Sequence, residues 1–128
     1  MIQPTTSYLG CPGCPEWANA DWCGALFPAQ AKSGDFLRHY ASVFNTVEGN
    51  TTFYALPRPQ TIQRWRELTP VGFRFCFKFP KRISHEHRLR NVREELANVF
   101  RTFTPLAERL GPLFLQLSER SLLTTFPR

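Results

Sequence analysis

A carboxylate and an amine at the ends of two apolar runs are the first chemistry this chain offers. Glu48 closes Thr46-Val47-Glu48, and Lys78 closes Phe73-Arg74-Phe75-Cys76-Phe77-Lys78. A carboxylate at the end of a buried strand must be paired or hydrogen-bonded to stay ionised. Lys78, one strand over, is the expected partner. Such a pair suits a general base and an electrostatic stabiliser, the plainer alternative being a structural salt bridge. Asn50 and Gln116 could orient a ligand through their amides, or satisfy loop backbone groups. His85 suits a proton shuttle and Arg82 an anion contact; their alternatives are an exposed loop residue and a solvated flank. His85, Glu86 and His87 lack the helical two-His spacing of a zinc protease. Trp17 and Trp22 could stack on a base or sugar ring, or close the mouth of the fold by apolar burial, and Phe53 and Tyr54 read first as core.

The four cysteines are Cys11, Cys14, Cys23 and Cys76. The Cys-x-x-Cys spacing at Cys11 and Cys14 arises within a tandem repeat, Gly10-Cys11-Pro12 followed by Gly13-Cys14-Pro15. A small duplication produces that spacing without any ligand role, and no second such pair completes a tetrahedral zinc site. No metal is assigned, and no motif names a cofactor.

These groups need elements to position them. Four β-rich segments recur: Tyr8-Leu9-Gly10-Cys11, Thr46-Val47-Glu48, Phe73 to Lys78, and Leu113-Phe114-Leu115-Gln116-Leu117. Helical patterns fill the gaps. Ser33 reads as an N-cap with Asp35 in the first turn, ahead of a stripe of Phe36, Leu37, Tyr40, Ala41 and Phe44. Pro59 suits a first helical position, ahead of Ile62, Trp65 and Leu68, and Thr69-Pro70 ends that helix. Val92, Leu96, Val99 and Phe103 form a third stripe. Thr104 could cap a short second helix that runs to Leu110, and Gly111-Pro112 stops it. The order β-α-β-α-β-α-β predicts parallel strands with helices outside. No G-x-G-x-x-G follows the first strand, which favours part of an eight-fold barrel over a dinucleotide-binding sheet.

The chain has 128 residues, 42% of them hydrophobic and 20% charged, which predicts one globular domain over residues 1–128. No apolar run approaches the roughly 20 residues of a membrane span, so no membrane partner is expected. The start, MIQPTTSYLG, has neither the basic residues nor the apolar stretch of a secretory signal, and a cytoplasmic protein is expected. Net charge is +6. Much of it sits in residues 78–93, where Lys81, Arg82, Arg88 and Arg90 join Lys78 and Arg93. That stretch could attract phosphates or nucleic acid by counterion release, or be a solvated loop and helix entrance.

Several phrases together resemble one family: Leu9-Gly10-Cys11-Pro12 with Trp17 and Asp21-Trp22; Phe44 through Tyr54; Gly72-Phe73-Arg74-Phe75 with Lys78; Pro80 through His85; and Arg109 through Leu117. They resemble domain-of-unknown-function family 72, the YecE-like TIM-barrel proteins, over residues 8–117. The phrase from Glu48 to Tyr54 is the most specific. The resemblance implies a (β/α)₈ barrel of unknown activity and supplies no catalytic assignment. Two departures stand out. The repeated Gly-Cys-Pro lengthens the loop after the first strand. The end reads Ser118-Glu119-Arg120-Ser121 and stops at Arg128, where relatives continue with prolines and a further half barrel. A full barrel takes roughly 250 residues, so a truncated N-terminal half of about four strands is expected.

Three functions then compete. One is an enzyme acting on a small polar or anionic ligand at the C-terminal strand ends. Another is a nucleic-acid-binding module that uses residues 78–93. The third is a non-functional half barrel, which needs a complementary half-barrel chain or pairs with itself.

Overall fold

The computed structural model describes residues 16–119. The predicted first strand at Tyr8 to Cys11 and the Gly-Cys-Pro repeat lie outside the described residues. Within them helix and strand alternate: α1 (Phe36–Val43), β1 (Thr46–Gly49), α2 (Pro59–Leu68), β2 (Arg74–Lys78), α3 (Arg93–Phe103) and β3 (Leu110–Phe114). Short turns of tighter or wider helix follow the strands, at Asn50–Phe53 after β1 and Arg82–Glu86 after β2. The three strands are all parallel, in the order β1-β2-β3.

The apolar stripes explain the helices. Phe36, Leu37 and Tyr40 are the buried residues of α1, and Ile62 and Leu68 those of α2. Pro59 opens α2 as expected, and the Thr69 hydroxyl closes it by donating to the Trp65 carbonyl at 2.8 Å. Ser33 is not a side-chain cap. It opens a 3-10 turn, and Asp35 pairs with Arg38 at 3.4 Å. Tyr40 ties α1 to the sheet, its hydroxyl donating to the Thr46 carbonyl at 2.8 Å.

Strand side chains alternate between faces. Val47 and Gly49 lie opposite Phe75 and Phe77, and this face packs under the helices. Trp65 stacks on both phenylalanines with centroids 5.7 Å away. Phe103 covers Phe77 from α3 at 4.2 Å. Gly49 leaves room for the Phe77 ring, because a Cβ there would sit 2.6 Å from it. The opposite face carries Thr46, Glu48, Cys76 and Lys78.

The last strand differs from its predicted position. It runs Leu110–Phe114 rather than residues 113–117, so Gly111 and Pro112 lie inside it instead of stopping a helix. Phe75 pairs with Leu110 and Phe77 with Leu113, which leaves one extra β3 residue between those pairs. A bulge is where a strand accepts proline, since the missing N–H breaks no regular ladder bond. Gly111 lets the strands approach, as a Cβ there would lie 2.9 Å from the Phe75 carbonyl oxygen. The positive φ in this stretch falls on Ala107, at 50°, and not on Gly111. Thr104 caps nothing, because its hydroxyl bonds back to the Phe100 carbonyl. Arg109 is buried and donates from Nε and Nη2 to the Thr69 carbonyl, both at 3.2 Å, joining the end of α2 to the start of β3.

Candidate functional site

Parallel pairing places the C-terminal ends of β1 and β2 side by side. Glu48 sits opposite Cys76 in the register, with Lys78 two residues further on the same face. The Lys78 ammonium lies 3.7 Å from Glu48 Oε1. Their side chains are 26% and 39% exposed, so neither group is deeply desolvated. The expectation that Glu48 is buried and therefore forced into a pair does not hold, because alternation turns it away from the helices. Its pairing with Lys78 does hold.

Beside it, the Cys76 thiol is pushed up from its ordinary value, chiefly by burial. The Glu48 charge raises it further, and contact with Thr46 Oγ1 at 3.8 Å works the other way. Thr52, from the turn after β1, is buried under the rim. Its hydroxyl faces the carbonyls of both Gly49 and Lys78 at 3.0 Å. Nothing in the sequence marks it, since a threonine in Asn50-Thr51-Thr52-Phe53 reads as a turn residue.

The other predicted groups scatter. Asn50 and Trp17 border a cavity of about 350 Å³ at the end of β1, together with Glu16, Gly49, Thr51 and Trp65. Glu48 and Lys78 do not line it. Trp17 and Trp22 do not form one platform. Trp17 packs edge-on against Trp65 at 5.2 Å, whereas Trp22 lies against Phe27 at 5.6 Å, toward α1. His85 is half-buried, its Nδ1 2.8 Å from Ser84 Oγ and its ring against Phe53. Arg82 is engaged with Glu95 at 3.5 Å and with His87 Nε2 at 3.3 Å. Gln116 is exposed two residues beyond β3, because the strand ends at Phe114, and Phe114 is the residue that faces Lys78.

A parallel sheet packed under helices defines an α/β protein, and the family and solved structures that it matches put it in the TIM-barrel-like class. The chain belongs to the family described as "Protein of unknown function DUF72", whose model matches residues 11–125. It is 44% identical over 105 residues to the UPF0759 protein YecE of Escherichia coli strain K12. That match covers 82% of this chain and 36% of the relative, so the chain spans about a third of the length of the curated relatives it matches. Among solved structures, a DUF72 family protein (TM1631) of Thermotoga maritima superposes with a TM-score of 0.69 at 27% identity, over 88% of this chain and 48% of that one. A DUF72 family protein (EF0366) of Enterococcus faecalis gives 0.65 at 22% identity, over 87% and 42%, a likeness of fold alone. No helix among the described residues is long and apolar enough to cross a membrane.

Proposed function

We propose that the chain supplies part of a site for a small anionic ligand at the C-terminal strand ends. Lys78 holds the anion, and Glu48 is the proton acceptor. One observation carries this reading: the 3.7 Å pair of Glu48 and Lys78 on adjacent parallel strand ends, on the face turned from the helices. In this class of fold, ligands bind at that end. An ammonium beside the carboxylate stabilises negative charge that develops on a substrate when Glu48 takes its proton. The local charge agrees. Residues 78–93 hold six cations, with Glu86 the one acid, a net of +5 within a chain of +6.

Thermal unfolding with inorganic phosphate, and with neutral sugars as controls, tests this. A ligand at ten times its Kd adds about 1.4 kcal/mol, a rise of roughly 4–7 °C for a chain of this size. Lys78→Met removes the rise, and Arg101→Gln, on the outer surface of α3, leaves it intact. An equal rise in Lys78→Met overturns the assignment.

A second reading, nucleic-acid binding, is favoured by Lys81, Arg88, Arg90 and Arg93. All four are exposed, and none has an acidic partner among the described residues. Four phosphate contacts imply about a 100-fold loss of affinity between 50 and 200 mM salt. A gel shift that is absent, or indifferent to salt, removes this reading.

A further inference from the structure

We infer that Thr52 is the positioning residue of the proposed site, a buried hydroxyl that straddles the last carbonyls of β1 and β2 and so fixes the spacing of Glu48 and Lys78. This inference rests on the reading of that pair as the site. Thr52 is 1% exposed, and its Oγ1 lies 3.0 Å from the Gly49 carbonyl oxygen and 3.0 Å from that of Lys78. A hydroxyl has one proton to donate, so the two carbonyls share it. The sharing is what makes it a clamp. One bond closes the turn from Gly49 to Thr52, and the other reaches across to the neighbouring strand.

The location adds to the argument. Regular ladder pairing of β1 with β2 ends at Gly49 and Phe77. Lys78 therefore has no β1 residue opposite it, and the Thr52 hydroxyl bonds its carbonyl from the β1 side. On the other side β3 continues, with Phe114 opposite Lys78 and the Phe79 amide donating to the Phe114 carbonyl at 2.8 Å. Without the clamp, the β1 end and its carboxylate can part from Lys78 while the rest of the sheet stays paired. At 3.7 Å the ion pair is already at the long end of contact, and a small separation breaks it. Threonine suits the place on two counts: its β-branching restricts χ1, which aims the hydroxyl, and its methyl fills the buried space.

The chain contains only three lysines, Lys32, Lys78 and Lys81. Their acetylation rates under limiting acetic anhydride can therefore be read separately by mass spectrometry. An amine held by a carboxylate reacts slowly, so in the unsubstituted chain Lys78 is expected to lag behind exposed Lys32. Glu48→Gln reports on the pair itself and Thr52→Val on the clamp. Each is expected to raise the Lys78 rate, relative to Lys32, about fivefold, the factor that one ordinary hydrogen bond represents. Thr52→Ser keeps the hydroxyl and is expected to restore the slow rate. Equal rates for Lys78 and Lys32 in the unsubstituted chain, or no response to Glu48→Gln, contradict the pair and with it the site. A response to Glu48→Gln with none to Thr52→Val leaves the pair standing and overturns the clamp. So does a fast Lys78 in Thr52→Ser. Loss of the cooperative melt in Thr52→Val makes Thr52 a determinant of the fold and also overturns the positioning role.

Discussion

Cys76 reports on the candidate site from within the sheet. Burial raises its thiol, and the Glu48 charge adds to the shift. A thiol is neutral when protonated, so a raised folded value adds stability that is complete below the ordinary value of 9.0 and is lost as pH rises through the folded value. Alkylation by iodoacetamide at pH 8 is therefore expected to be slower at Cys76 than at half-buried Cys23, and Glu48→Gln should speed it. Equal rates at the two thiols would count against the burial. Glu48 and Lys78 were legible in the sequence because strand periodicity and strand ends can be read from residue types alone. The pairing of Trp17 with Trp65 was not, because it joins a loop to a helix 48 positions away. Nor was Thr52, whose role exists only once two carbonyls from separate strands reach one hydroxyl.

At the scale of elements, the helices and the strands β1 and β2 follow from apolar stripes and from Val47, Phe75 and Phe77. β3 was misplaced for a definite reason. Gly111-Pro112 is a strong local stop signal, and only the pairing with β2 turns it into a bulge. Tertiary pairing overrode local propensity, as it does wherever a strand is held by its neighbour. Close packing also makes the sheet sensitive to a single methyl group. Gly49→Ala drives a Cβ to 2.6 Å from Phe77, whose ring is held by Trp65 and Phe103. We expect a loss of about 1–3 kcal/mol in urea unfolding, the usual cost of overpacking. A change under about 0.5 kcal/mol would mean that the ring is free to move.

For the whole molecule, the described sheet has an edge. β3 pairs with β2 alone among the described residues, and Phe114, Leu115 and Leu117 are exposed beside it. Unpaired backbone next to apolar side chains recruits another strand. Size-exclusion chromatography at rising concentration is expected to show self-association, and Leu115→Lys is expected to reduce it by placing a charge on that edge. A monomer at every concentration would contradict this. The family and the barrel-like class were legible in the sequence.

The most direct measurement is an NMR titration of the chain with its lysines reductively ¹³C-dimethylated, which keeps their charge. With inorganic phosphate, the Lys78 methyl signal should shift saturably in the millimolar range while Lys32 stays in place, and Glu48→Gln should alter the Lys78 shift. A common, unsaturated drift of all three lysines, or a shift at Lys81 without one at Lys78, would contradict a ligand held at the strand ends.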